Sequence, residues 1–307
     1  MSLLVVGTMA FDELITPFGE SGKIIGGSAT YAALSAANFA DDISIVSIIG
    51  EDFPQAKLDL MQSRGINLEG VEQVSGGKTF FWKGKYHNDM NTRDSLDTQL
   101  NVLADFEPIV PESARDAEYL MLGNLTPAVQ MSVLKQMTKR PKLVIMDTMN
   151  FWMDVAMPEL KEVLKEVDLL TINDEEARQL SGEFSLVKAA KAIFEMGPQY
   201  LIIKKGEHGA LLFHKEEVFY APALPLEEVF DPTGAGDTFA GGFIGHLADS
   251  DEVSFESMKR GIIYGSAMAS FCVEKFGTHR LVEIDRKDLH NRVMRFIELT
   301  NFDMKLK

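Results

Sequence analysis

Short apolar runs and helix-length segments take turns along this chain. The opening LLVVG, residues 3–7, is apolar throughout and closed by a glycine, which predicts a strand buried on both faces. After the paired Gly26 and Gly27, the stretch SATYAALSAANFA is rich in alanine and predicts a helix that can approach a sheet closely. The rhythm then repeats. ISIVSIIG, YLMLGN, KLVIMDT, DLLTIN and YLIIKKG predict strands, and FPQAKLDLMQSRG, PAVQMSVLKQM, PELKEVLKEV, DEEARQLSG and LVKAAKAIFEMG predict helices among them. Such alternation argues for a mostly parallel sheet covered on both faces. The shorter ALLFHK and EVFYAP are predicted to run antiparallel at one edge, and RKDLHNRVMRFIELT to form an amphipathic helix against the body.

Two stretches break the rhythm, residues 12–25 and 75–100. The second contains a strand, KTFFWKGKYH, with no helix of its own, so it can pair with the first as a small sheet projecting from the main one. A lid and a plain surface hairpin both fit that pattern. No internal repeat, low-complexity tract or linker-like composition interrupts the chain. The expectation is one domain over residues 1–307 with lid segments near 12–25 and 75–100.

Composition narrows the partners. At 307 residues and 46% hydrophobic, the chain can bury one large core. A net charge of −16 argues against a general affinity for nucleic acid or anionic membrane, although a local basic pocket stays open. No uncharged apolar run approaches the roughly 20 residues that cross a bilayer, and the N-terminus carries no signal-peptide cleavage pattern. With Cys272 as its one cysteine, the chain has no intramolecular disulfide framework, and a cytoplasmic location is expected.

The chemistry gathers in DPTGAGDTFAGGF, Asp231–Phe243. Pro232 fixes backbone shape, Gly234 and Gly236 permit close approach, and an apolar helix follows. Unpaired N–H groups and the helix dipole favour an anion at such a terminus. Asp237 stands at that same end, where capping is the ordinary reason for an aspartate. Beside a phosphate it would be repelled unless needed, and taking a proton from an acceptor hydroxyl is such a need. Neither a nucleotide P-loop nor a Rossmann G-x-G-x-x-G occurs.

These residues resemble the signature of the PfkB, or ribokinase-like, carbohydrate kinase family. The D-T-x-G-A-G-D type sequence is matched by Asp231–Asp237, the paired glycine by Gly26 and Gly27, and N-x-x-E by Asn173–Glu176. All three come in the family's order, so the resemblance spans essentially the whole chain. It implies a ribokinase-like three-layer α/β/α sandwich with a mostly parallel central sheet and a small β lid. It also implies an ATP-dependent phosphotransferase that delivers the γ-phosphate to a hydroxyl of a sugar or sugar-like acceptor.

By the same resemblance Asp237 is the general base, and amides of Gly234, Ala235, Gly236 and Asp237 form the anion hole. Asp12, Gly26, Gly27 and Asn150 are expected to bind the acceptor. Asn173, Lys204, Gly206, Gly209, Gly265 and Ser266 are expected around ATP, with Glu176 acting on Mg²⁺ through water and Asp231 and Thr233 beside a possible K⁺. Bland readings stand next to these: a helix cap for Asn173 and Glu176, with acids in the first turn complementing the dipole, and a strand-connecting turn for KKGEHG. After the paired glycine the run GGSATYAA places Ser28 and Tyr31 where ribose-specific members tend to have lysine and asparagine, which puts ribose itself in question. Phe80, Phe81, Trp82 and Tyr86 of the lid could cover a sugar or stack on a base. A nucleoside kinase, a phosphosugar kinase with Lys83, Lys85 and Arg93 as basic clamp, and a silent sugar or nucleotide sensor are the rival readings. A homodimer through the lid is a further expectation.

Overall fold

The computed structural model describes residues 1–301 and 303. Nine strands form the main sheet: β1 (Leu3–Val6), β4 (Ile43–Gly50), β5 (Ile66–Val74), β8 (Tyr119–Leu122), β9 (Leu143–Asp147), β10 (Leu169–Asn173), β11 (Tyr200–Lys204), β12 (Ala210–His214) and β13 (Glu217–Ala221). Their order is β13-β12-β11-β10-β9-β8-β1-β4-β5. The seven from β11 to β5 are parallel, and β12 and β13 join antiparallel at one edge, as the alternation predicts. β5, which was not anticipated, is the far edge; its residues alternate I-N-L-E-G-V and leave much of the strand exposed.

Ten α-helices are described: α1 (Ser28–Ala36), α2 (Gln55–Ser63), α3 (Pro127–Gln136), α4 (Asn150–Val155), α5 (Met157–Leu164), α6 (Asp174–Ser181), α7 (Leu186–Phe194), α8 (Ala235–Ser250), α9 (Phe255–Cys272) and α10 (Arg286–Thr300). Successive residues of β1 point to opposite faces. Leu3 and Val5 join α1, α2, α8 and α9 in one core, while Leu4 and Val6 join α3, α5, α6 and α7 in the other. The result is a three-layer α/β/α arrangement. None of the described helices is long and apolar enough to cross a membrane.

A second sheet of four strands projects from the first: β2 (Ala10–Thr16), β3 (Gly19–Gly26), β6 (Phe81–Tyr86) and β7 (Arg93–Gln99), in the order β3-β2-β6-β7. β2 and β3 form a hairpin, β6 runs parallel to β2, and β7 folds back on β6. Asp12 therefore lies within a strand of this small sheet. The sheet touches the body at its tips. Phe18 packs on Phe230 with ring centroids 5.2 Å apart, and Tyr86 Oη lies 3.1 Å from Thr233 Oγ1.

Candidate active site

The site begins at the C-terminal ends of β9, β10 and β11, where ligands of open α/β sheets gather. Asp147 closes β9, Asn173 closes β10 and Lys204 closes β11, and the last two are register partners. Lys204 Nζ donates to Asp147 Oδ2 at 2.7 Å in a largely buried ion pair. Asp147 is the residue that sequence reasoning missed. Its signal was an acid ending an otherwise apolar strand, LVIMD.

Asn173 and Glu176 cap α6 reciprocally: Asn173 Oδ1 accepts from Glu176 N and Glu176 Oε2 accepts from Asn173 N, each at 2.8 Å. The bland reading is thus fulfilled in geometry. Yet Glu176 is also buried, which pushes its carboxyl up to about 7, with Asp147 adding to the rise and Lys204 opposing it. A cap alone does not require burial of the carboxylate. Among the described residues no three Asp, Glu, His or Cys side chains converge on one metal position. This donor set suits Mg²⁺, which keeps several waters and takes the rest of its shell from substrate phosphates.

Opposite these strand ends stands the N-terminus of α8. Gly234 is its N-cap with φ 72°, and no side chain caps it. A side chain at Gly234 would strike the Tyr31 ring, whose carbons lie 2.4 Å from a Cβ built there. The Ala235 amide donates to Pro232 O at 3.2 Å, so within the expected row of amides that of Ala235 is already engaged. Beside Gly236 the nearest group is Lys204 Nζ, 3.2 Å from a Cβ built there. Open helix amides, no side-chain cap and an ammonium alongside make a cradle fitted to a phosphoryl group.

Asp237 sits in the first turn of α8. Loss of hydration pushes its carboxyl up to about 7, Asp147 reinforces the rise, and Lys204 and Arg93 oppose it. Asp12, 4% exposed, is pushed further, to about 8, by burial and by Asp231 and Asp237. Asp231, 1% exposed, is raised to about 6 by burial, although Thr233 N donates to its Oδ1 and Gly277 N to its Oδ2, each at 2.8 Å. The loop carrying Gly277 is itself held, since Glu274 Oε1 accepts from the buried Arg292 Nη2 at 2.6 Å. Carboxyl groups of the lid sheet, the Asp231 loop and α8 therefore act on one another across one space.

The other expected residues fall in different places. Gly27, φ 95°, begins α1 beneath Thr8, and Gly26 abuts Asp12. Ser28 exchanges hydrogen bonds with Thr8, and Tyr31 is buried with its hydroxyl unpartnered and in the field of Asp231 and Asp12. Asn150 is the first residue of α4 and donates to Gln179 Oε1, which ties it to α6. Gly206 meets Asn91 of the β6–β7 loop. Two of the expected residues have packing roles. Gly209, φ 83°, lies against Ala221 O, 2.0 Å from a Cβ built on it, and closes the 205–209 turn. Gly265, buried in mid-α9, lets α9 approach Phe239 O of α8, with Ser266 buried next to it.

The proposed basic clamp is corrected as well. Asp12 is the register partner of Trp82, and side chains alternate along a strand. Trp82, Gly84 and Tyr86 share the face of Asp12, while Lys83 and Lys85 take the other, where Lys83 Nζ pairs with Glu13 Oε1 at 2.6 Å. The Trp82 indole lies over Gly84 with Nε1 donating to Ser95 Oγ at 3.0 Å.

Comparison with known proteins agrees with the fold. Residues 4–285 match the profile of the pfkB family carbohydrate kinases. The chain is 30% identical over 250 residues to the cytidine kinase of Thermococcus kodakarensis, covering 80% of this chain and 87% of that one. It is 27% identical over 292 residues to the nucleoside kinase of Methanothermobacter thermautotrophicus, covering 90% of each. The solved nucleoside kinase of Methanocaldococcus jannaschii, an archaeal member of the ribokinase family, shares the fold with a TM-score of 0.76. That match covers 96% of this chain and 99% of the other, at 18% identity.

Proposed function

This chain belongs to the PfkB family of carbohydrate kinases, and from that premise we propose the following division of labour among its residues. The enzyme is an ATP-dependent kinase of ribokinase-like fold that transfers the γ-phosphate to a hydroxyl of a sugar or sugar-like acceptor, and the family works with ATP and Mg²⁺. The observation that carries the assignment of roles is Asp237 in the first turn of α8, beside helix amides that no side chain caps.

Asp12, with Gly26 behind it, grips acceptor hydroxyls from the lid, and the four-stranded sheet closes over them. Asp237 takes the proton of the attacking hydroxyl. The acceptor oxygen bonds to the γ-phosphorus as the bond to the β–γ bridging oxygen breaks, and ADP leaves. Negative charge shifting on the phosphoryl oxygens is met by the Gly236 and Asp237 amides and by Lys204. Glu176 and Asn173 hold the water shell of Mg²⁺, which neutralises phosphate charge when bound. Gly206 leaves room for the nucleotide's approach.

Two finer parts complete the reading. K⁺ near Asp231 and Thr233 would steady the loop that enters α8, so turnover should rise when KCl replaces choline chloride. The open edges of β3 and β7 offer the lid as a homodimer surface, which sedimentation of the purified chain tests. The acceptor itself is identified by ATP consumption across pentoses, hexoses, their monophosphates and nucleosides. Turnover on one acceptor class supports the reading; ATP binding without turnover on any of them counts against it.

A further inference from the structure

Strand register decides which lid residues look into the site. β6 pairs Tyr86 with Arg93, Gly84 with Ser95 and Trp82 with Thr98. Partners across a ladder share a face, so Arg93 is on the face of Tyr86, and Tyr86 reaches Thr233 just before α8. Two residues earlier in the chain, Asn91 Oδ1 lies 2.8 Å from a Cβ built on Gly206, at the nucleotide side. Arg93 is thereby suspended between the loop that enters α8 and the turn after β11.

Its guanidinium makes no hydrogen bond or ion pair among the described residues. Arg286 and Arg295 share that condition, but both lie on α10 rather than on the lid sheet. Arg140, Arg178, Arg260, Arg280 and Arg292 each hold a carboxylate. The positive field of Arg93 reaches both Asp237 and Glu176, which stand on separate elements. A guanidinium offers five donors in a planar fork that matches the oxygens of a phosphoryl group. Here that fork is unspent, beside Tyr86, which reaches Thr233 just ahead of α8.

We propose that Arg93 is a lid-borne contact to the transferring γ-phosphoryl group, opposite the Gly236 and Asp237 amides and Lys204. This inference rests on the reading that transfer occurs at the N-terminus of α8. An acceptor phosphate is the other source of the same chemistry. Lys83 and Lys85 turn to the opposite face of the sheet, which leaves no multi-residue clamp for it. Because Arg93 rides on the lid, its contact forms only when the lid is down, so hydrolysis of ATP without acceptor is disfavoured by the same device.

The test uses the full chain with wild-type Arg93, Arg93→Met and Arg93→Lys, titrated calorimetrically with Mg·ADP, with Mg·AMP-PNP and with D-ribose 5-phosphate. Loss of a charge-assisted contact to the γ-phosphate should weaken AMP-PNP about tenfold or more in Arg93→Met, leave ADP within about twofold, and put the lysine variant between. Equal weakening of both nucleotides, no change in either, or a loss confined to D-ribose 5-phosphate would overturn the proposal. Failure of the wild type to bind either nucleotide would overturn the transfer-site reading beneath it as well.

Discussion

Asp12 occupies space that Gly26 leaves open: a Cβ built on Gly26 falls 1.8 Å from Asp12 Oδ2 and 2.4 Å from its Cγ. The two are near neighbours on β2 and β3, so the paired glycine serves the lid strand as much as the helix that follows it. Gly26→Ala must displace the carboxylate. Steady-state kinetics should show the acceptor KM rising about tenfold or more while the KM for Mg·ATP stays within about twofold. An unchanged acceptor KM would separate Asp12 from acceptor binding.

Asp147 and Lys204 form a pair that neither can leave cheaply. Asp147→Asn leaves the ammonium without its closest counter-charge in a nearly buried place, at a cost of about 3–5 kcal/mol in unfolding free energy. The same change removes a negative charge that raises Asp237 and frees the positive one that lowers it. The acid limb of the turnover profile should therefore move to lower pH. Thermal melts and a pH–rate series on the variant check both effects.

Asp237 must be ionised to accept a proton, and its carboxyl is pushed up to about 7. In the wild type, kcat/KM should climb as pH rises through about 7 and level off above it. A flat profile between pH 5 and about 8 would place the required ionisation elsewhere.

Stability should run the other way with pH. Folded Asp12 holds its proton to about 8, against 3.8 for an ordinary aspartate. Across that window the folded state binds more protons than the unfolded chain, so unfolding releases them and stability falls as pH rises. Asp12→Asn removes this burden. Its Tm should exceed that of the wild type by several degrees near pH 8, with the gap closing toward pH 4.

The strand and helix alternation was legible because buried parallel strands are continuous apolar runs, and LLVV, LVIMD and LLTIN stand out against charged helices. β7, Arg93–Gln99, was not, since RDSLDTQ is exposed throughout and is held as a strand by its pairing with β6. The glycine-rich entry to α8 could be read from its motif alone. The ion pair between Asp147 and Lys204 could not, because it joins residues 57 positions apart that meet through the order of β9, β10 and β11. Gly209 and Gly265 were legible only as glycines, since one needed for close backbone packing looks the same in sequence as one beside a ligand.

The central claim is that Asp237 takes the acceptor proton at the α8 cradle. Asp237→Asn keeps the size of the side chain and removes its basicity. With Mg²⁺, K⁺ and whichever acceptor the wild type turns over, ATP consumption by this variant should fall by about a thousandfold or more, with Mg·ATP affinity within about threefold of wild type. Turnover close to that of the wild type would contradict the assignment outright.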